Sequence, residues 1–467
     1  MLLGYVGAVT AFGTWLGRRG ASISDYFLGG RQIPWWAIAA CIVATETSTL
    51  TFIGVPGTAY GGDWRFLQLV FGYILGRLLI AALLVPAYFR GQIYTSYELL
   101  QQRLGGGVRA LSSGIFLVSR TLADGIRLHA AALVLAVAAA GSARREWIFI
   151  LLLGAAMIVY TEEGGVKATI WTDAVQLVVY LAGAVVCLVA VVRLLPMGAG
   201  QALGTAAAQG KLRLIDLSLD PHVPFTLWAG VIGGAFLTLA THGTDHYLVQ
   251  RLLVARNRRE AALGLALTGP MVLLQFLLFL VLGTLLFVYY GGRPFARGDE
   301  VLPTFIATAL PPSATGFILA AIVAAALSPS LNSMASATLR DFYLPYVRPR
   351  ATEAEQMRVG KAFTVVWGLA QIAVAFAAQN IHSALDKGLA VLGYASGPTV
   401  GAFLLAVLTQ RARAVGTLIG MASGLLATLL ASRLLGVAWT WNVAVGAVVT
   451  FGVGWLASPV RPQEARA

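Results

Sequence analysis

The sequence predicts an all-α integral membrane protein: a single transmembrane domain, 1–467, with about 13 spanning helices. Ten of them form two five-helix repeats of opposite topology. Three observations predict this. Of 467 residues, 58% are hydrophobic and only 11% charged, with a mean hydropathy of +0.78, whereas soluble chains carry about 25% charged residues. Apolar runs of about 17–25 residues, the length that crosses a bilayer as a helix, recur along the whole chain. Two of these runs, 34–57 and 225–250, carry polar residues at their centres and open consecutive sets of five helices.

The first run, 2–17, is apolar, ends on Arg18-Arg19 and lacks a basic leader, so it reads as an anchor helix and not a cleaved signal. The first repeat spans 34–194, with segments 34–57, 65–89, 110–139, 147–162 and 169–194. In 34–57 the residues Thr45, Glu46, Thr47, Ser48, Thr49 and Thr51 stand at mid-membrane depth. A carboxylate there costs a few kcal/mol or more and serves a function by default. The surrounding hydroxyls offer the backbone partners outside its own helix, so the segment reads as a broken helix. A polar loop, 196–223, separates the repeats. The second repeat, 225–409, has segments 225–250, 261–290, 313–338, 359–379 and 388–409. Its opening helix repeats the interruption with Thr238, Thr241, His242, Gly243, Thr244 and Asp245. An odd number of helices forces the second set to run inverted, and paired interruptions point to a transporter's central site. Peripheral helices at 414–434 and 437–457 complete the domain at 414–457.

The net charge of +13 does not mark a nucleic-acid binder, because the basic residues sit in short loops between apolar runs. With the N-terminus outside and the C-terminus cytoplasmic, the cytoplasmic loops hold about twice as many Lys and Arg as the outer ones, against the trend only at Arg144-Arg145. That places the protein in a plasma (inner) membrane as a multi-pass protein. Cys41 and Cys187 lie inside apolar runs with neither metal-ligand nor disulfide spacing.

Five motifs appear in order: SDYFLGGRQIPWWAIAAC before the first core helix, IVYTEEGGVKATIWTDAVQ at the fourth-to-fifth junction, TDHYLVQRLLVAR closing the sixth, LNSMASATLRDFY in the eighth and GYASGPTVGAFLLAVL in the tenth. On these the chain resembles the sodium:solute symporter family, the group of the sodium-glucose, proline and sialic acid transporters, over nearly its whole length. The resemblance implies a LeuT-type fold, alternating access and secondary active import of a small organic solute driven by a cation gradient. It implies Na+ or H+ as coupling ion and no other cofactor. Expected partners are a small-molecule solute and the lipid bilayer, with no obligate protein partner.

By motif position, the family's principal sodium site falls on carbonyls of Ala44, Thr47 and Ile322. Its two hydroxyl positions fall on Ala325 and Ala326, which have no oxygen to give. Four features are candidates to replace them. Glu46 stands where relatives have a small polar residue or Asp. Pro329 frees the carbonyl of Ala325. Ser328 and Ser330 follow, and Asp173 matches an acidic residue that some members use in a second sodium site. Three readings stand: a sodium site rebuilt from Glu46, Asp173, Ser328, Ser330 and freed carbonyls; proton coupling through Glu46, since a buried carboxyl suits proton binding and release near neutral pH; or a facilitator without coupling.

Motif position places solute contacts at Ser48 and Thr51 in the first core helix, at Gln68 or Val70 in the second, and at Thr238, Thr241 and His242 in the sixth. In the third, Arg120, Asp124 and Arg127 share one helix face and leave one positive charge uncompensated. Arg127 either holds a substrate carboxylate, as an arginine of this helix does in sialic acid relatives, or closes a local network, or neutralises Glu46. Asp245, Gln250 and Arg251 match the family's run at the cytoplasmic end of the sixth helix, with His246 where glutamine is usual. They read as a gate or a helix-end ion network. Arg77 needs a partner within the second helix's surroundings.

Two other classes were weighed. A solute sensor would need a separate signalling chain. An enzyme would need a catalytic constellation, and no metal motif, nucleophile elbow or phosphate loop is present; LGGGVRA at 104–110 follows no strand.

Overall fold

The computed structural model describes residues 2–17, 22–47, 49–91, 93–140, 145–326, 330–379 and 384–458. Among them the secondary structure is helical, with one strand-like contact, the parallel bridge of Ile33 with Ala255. In lipid only closed hydrogen bonding survives, and an apolar chain meets that demand within each helix. The first helices are α1 (Leu2–Gly17), α2 (Ile23–Leu28), α3 (Trp35–Glu46), α4 (Thr49–Gly61) and α5 (Leu67–Tyr88, with a π turn at Ile80–Leu84). Next come α6 (Ser96–Leu104), α7 (Gly106–Ala140), α8 (Glu146–Leu194) and α9 (Ala199–Ala208). The second repeat opens with α10 (Gly234–Thr238), flanked by π turns at Ala229–Gly233 and Leu239–Thr244, and continues into α11 (His246–Leu253). Then follow α12 (Arg258–Tyr289), α13 (Val301–Ala309), α14 (Pro312–Ala326), α15 (Leu331–Ala337), α16 (Glu353–Ala378), α17 (Ala384–Leu408), α18 (Ala414–Arg433) and α19 (Asn442–Leu456).

Six helices among the described residues are long and apolar enough to cross a membrane, or seven counting the bent pair Trp35–Glu46 and Thr51–Gly61. Among the remaining expected spans, the one that opens the second repeat is divided by π turns, while α1 and α7 are unbroken helices of 16 and 35 residues. Large apolar side chains such as Val118, Val178, Leu274 and Leu369 stay exposed on the outer faces, where lipid replaces water as solvent.

Both expected interruptions are present. α3 ends at Glu46, where Thr47 turns extended (φ −81, ψ 102), and the two halves of this span meet at a bend of 61°. In the second repeat the break falls at Asp245 (φ −71, ψ 118), whose side chain caps α11 by accepting from the Tyr247 amide. The expected segments 147–162 and 169–194 merge into α8, which changes direction at Gly165 (φ 58, ψ −157). Only glycine takes that backbone cheaply, and a Cβ there would also stand 2.7 Å from the Tyr26 carbonyl. The loop expected at 196–223 contains α9, an alanine-rich helix that packs on α12.

Asn257 and Thr352 start α12 and α16 by accepting from the amides of Glu260 (3.0 Å) and Glu355 (3.3 Å). Their position in the polar turns fixes where each apolar run enters the bilayer.

A candidate solute and cation site

Where α3 breaks, its last residue points into a cavity of about 210 Å³. The first repeat contributes Thr45, Glu46, Tyr73, Arg120 and Arg127 to its wall, and the second Leu237, Thr238, Thr241, His242, Tyr247 and Leu248. The two broken helices therefore face each other across one polar chamber.

Glu46 is an ion pair with Arg77, whose Nη2 donates to its Oε2. His242 Nε2 lies 3.5 Å from the same oxygen, and Thr241 Oγ1 stands 2.8 Å from His242 Nδ1. Arg77 is fully buried and spends its Nε on Thr268 Oγ1 at 2.8 Å. Its partner is thus Glu46, and the alternative in which Arg127 neutralises Glu46 gives way to this pair. No hydrogen bond to Glu46 Oε1 forms among the described residues, and the carboxylate is 18% exposed, toward the cavity.

The third-helix trio is also balanced differently from the sequence expectation. Arg120 donates from Nε (3.0 Å) and Nη2 (2.5 Å) to Asp245 Oδ2. The positive charge counted as uncompensated is met by Asp245. Arg127 keeps a looser relation: its Nη1 is 3.8 Å from Asp124 Oδ1 and, although buried, has no hydrogen-bond partner among the described residues. A guanidinium with a buried, unspent nitrogen at a cavity wall is costly unless a ligand completes it.

The remaining expected residues separate into groups. Thr238, Thr241 and His242 line the chamber together with Glu46 and Arg127. Gln68 and Val70 do not. Gln68 donates to the Phe225 carbonyl (3.0 Å) and accepts from the Asp216 amide (3.1 Å), tying down the loop after α9, and Val70 is buried in an apolar cluster. Both side chains are fully buried in contacts away from the chamber, a register the motif match did not fix. Thr51 is half-buried on α4 away from the chamber wall. Ser48 and Ser328 lie outside the described residues.

On the cation side, Ala44 and Ile322 are buried in one apolar cluster, and Ala325 lies in the last turn of α14. Thr47 Oγ1 donates to the Val43 carbonyl (2.9 Å) and accepts from Tyr180 (3.0 Å) and Gln275 (2.5 Å). Asp173 is fully buried, accepts from Thr45 (3.1 Å) and Cys41 (3.2 Å), and stands 3.8 Å from Arg251. Ser330 donates to Asp124 Oδ2 at 2.5 Å. Glu46, Asp173 and Ser330 thus enter three separate polar networks. The expected gate residues form a packed group below the chamber. Gln250 donates to Phe27 and Asn332 (both 2.9 Å), Arg251 lies on the Tyr247 ring, and His246 accepts from the Ser96 amide at 3.3 Å.

The sequence reading gave no role to Gln371, Thr268 or Tyr73, which complete these networks. Thr268 and Gln371 are polar residues inside long apolar runs, and that was their available signal.

A profile described as "Sodium:solute symporter family" matches residues 26–424. The chain is 30% identical over 437 residues to the human sodium/iodide cotransporter, covering 89% of this chain and 66% of that one. It is 28% identical over 477 residues to the sodium/sialic acid symporter NanT of Aliivibrio fischeri, covering 98% and 92%. Among solved structures it superposes on a Na+-coupled sialic acid symporter in a substrate-bound outward-open state with a TM-score of 0.91 and 26% identity, over 98% of this chain and 96% of that one. Mhp1, a nucleobase-cation-symport-1 family transporter, shares the fold at a TM-score of 0.60 and 15% identity. The protein is a multi-pass membrane symporter of the LeuT fold and not an enzyme. The chain belongs to the sodium:solute symporter family.

Proposed function

We propose that this protein imports a small organic carboxylate together with sodium by alternating access. The observation that carries the solute class is Arg127, which is partly exposed and borders the chamber, with its buried Nη1 unspent among the described residues. A carboxylate fits that fork with two parallel hydrogen bonds. Thr238, Thr241 and the Tyr73 and Tyr247 rings supply the chamber's further hydrogen-bonding and apolar contacts. Sodium is favoured over a proton because Glu46, the carboxyl placed to carry one, is committed to Arg77. The similarity to sodium-coupled relatives supports the same choice. In this reading the whole of 1–467 acts as one transporter unit. Repeats 34–194 and 225–409 surround the chamber, the N-terminus is outside and the C-terminus cytoplasmic in a plasma (inner) membrane, and no obligate protein partner is required.

Proteoliposomes carrying an inward sodium gradient at clamped pH should accumulate a labelled carboxylate above its outside concentration. Equal accumulation with choline replacing sodium would overturn sodium coupling. Arg127→Ala should raise the solute Kd at least tenfold, the loss of a charge-assisted pair worth about 1.5–3 kcal/mol. Neutral sugars, if bound at all, should be indifferent to it.

A further inference from the structure

The alanines at 325 and 326 deprive the family's ordinary sodium position of its hydroxyls, and a different cluster of oxygens lies beside the chamber. Asp124 on α7, Ser330 just before α15 and Gln371 on α16 meet within the protein, each at most 3% exposed. Ser330 Oγ is 2.5 Å from Asp124 Oδ2. Gln371 Nε2 touches Asp124 Oδ2 (3.5 Å), Ser330 Oγ (3.4 Å) and Met334 Sδ (3.4 Å), all at the long limit of a hydrogen bond. Asp124 Oδ1 and Gln371 Oε1 have no hydrogen-bond partner at all among the described residues. Two orphaned buried acceptors on neighbouring helices are expensive, and both are oxygens.

The approach of the two helices is itself specified. Gly125 follows Asp124, and a Cβ there would stand 2.5 Å from Val374 and 2.9 Å from the Gln371 carbonyl. Glycine therefore lets α16 bring Gln371 alongside the carboxylate. Turning the Gln371 amide over exchanges its nitrogen for Oε1 with no change of shape. Asp124, Ser330 Oγ and Gln371 Oε1 then bring three oxygens together, the ligand type of a hard cation, with Met334 Sδ beside them at 3.1 Å from Ser330 Oγ.

The charge near that cluster depends on Arg127. Arg120, whose Nη1 is 4.0 Å from Asp124 Oδ1, is already paired with Asp245. Arg127, at 3.8 Å, has no other carboxylate among the described residues. We propose that Asp124, Ser330 and Gln371 form the coupling site for sodium, and that Arg127 exchanges partners between Asp124 and the solute carboxylate. In the empty protein Arg127 neutralises Asp124 and repels a cation. When a solute carboxylate takes the Arg127 fork, Asp124 is released to hold sodium. Each state is electroneutral, so solute and cation bind together and each tightens the other by the same factor. The cation site stands on the cluster itself; the exchange step rests on the carboxylate reading given above.

Radiolabelled sodium binding to the purified full-length protein tests both parts. Arg127→Gln removes the competing cation, so it should bind sodium at least tenfold more tightly than the parent with no solute present. Adding Asp124→Asn to it should abolish that gain. Equal sodium affinity in Arg127→Gln and the parent, or a gain that survives Asp124→Asn, overturns the site. Ser330→Ala, which keeps every charge and a similar volume, should raise the sodium concentration for half-maximal uptake at least tenfold while leaving solute affinity at saturating sodium unchanged; an unchanged sodium requirement overturns the site by an independent route. In the parent, pyruvate, lactate and N-acetylneuraminate serve as carboxylate probes. Tightening of sodium binding by a probe that binds supports the exchange, and a bound probe without tightening overturns it. Failure of every carboxylate to bind rejects the solute reading, while the Arg127→Gln result still decides the cation site. Tightening by potassium equal to that by sodium in Arg127→Gln rejects sodium as the ligand.

Discussion

Glu46 and Arg77 stand thirty-one residues apart on two different membrane helices, and each alone is a costly charge. Their pairing turns two costs into one network that reaches His242 and Thr268. Breaking a buried pair leaves an uncompensated charge and costs about 3–5 kcal/mol, whereas removing both partners together costs far less. Arg77→Met or Glu46→Gln should therefore each lower the melting temperature of the detergent-solubilised protein by several degrees, and Glu46→Gln/Arg77→Met should recover most of the loss. A double variant as unstable as the sum of the singles would refute the pair. Matching lone intramembrane charges to one another would have found this contact and the Arg120–Asp245 pair from sequence. The Asp124–Ser330–Gln371 cluster was not findable that way, because serine and glutamine are inexpensive enough in apolar helices to raise no alarm. Thr238, Thr241 and His242 of the sixth helix line the chamber, whereas Gln68 and Val70 do not; a register shift of one residue rotates a helical side chain by about 100°.

Breaks in helices were legible where chemistry demanded them. The hydroxyl-rich run after Glu46 and the polar run ending at Asp245 both interrupt the backbone as expected, because local hydrogen-bonding side chains compete with the helix ladder. The short α9 was not legible: its run of alanine and glycine, AGQALGTAAA, lacks a strong apolar period, and its order comes from docking on α12. The outer loop after α9 is held by side chains of its own. His222 Nδ1 is 2.7 Å from Asp220 Oδ1 and Nε2 is 3.0 Å from the Leu435 carbonyl, beside the end of α18. The Asp220 carboxylate and that carbonyl raise the His222 pKa above its ordinary range, since both contacts are satisfied only by the doubly protonated ring. A raised folded value means the tie is fully present below about pH 6.5, the unperturbed histidine value, and is lost as pH rises through the folded one. After correction for the intrinsic pH dependence of exchange, amide hydrogen exchange in 216–223 should accelerate as pH rises through neutrality, and His222→Gln should make it pH-independent. A loop whose corrected exchange slows with rising pH would contradict the assignment.

Across the whole molecule the polar networks divide the helices into two groups. Glu46, Arg77, His242 and Thr268 join α3, α5, the π turn after α10, and α12, while Asp124, Ser330 and Gln371 join α7, the start of α15, and α16. Rocking of one such group against the other is how inverted-repeat transporters expose a central site to alternate sides. Arg120 on α7 reaches Asp245, at the break between α10 and α11, and lies 4.7 Å over the Tyr247 ring, so it crosses between the groups. Loss of a tie worth about 1.4 kcal/mol changes the ratio of two states tenfold. The double variant Arg120→Gln/Asp245→Asn, which removes the pair without stranding a charge, should shift the populations while leaving each group intact. Spin labels at the lipid-facing positions Leu78 on α5 and Leu274 on α12, within one group, should keep a single unmoved distance distribution. Labels at Leu78 and Val366 on α16, in different groups, should show a redistributed or broadened one. An unchanged Leu78–Val366 distribution would mean that Arg120 and Asp245 hold no conformational balance. A shift in both pairs would mean that the pair supports the fold as a whole instead of setting the angle between its two parts.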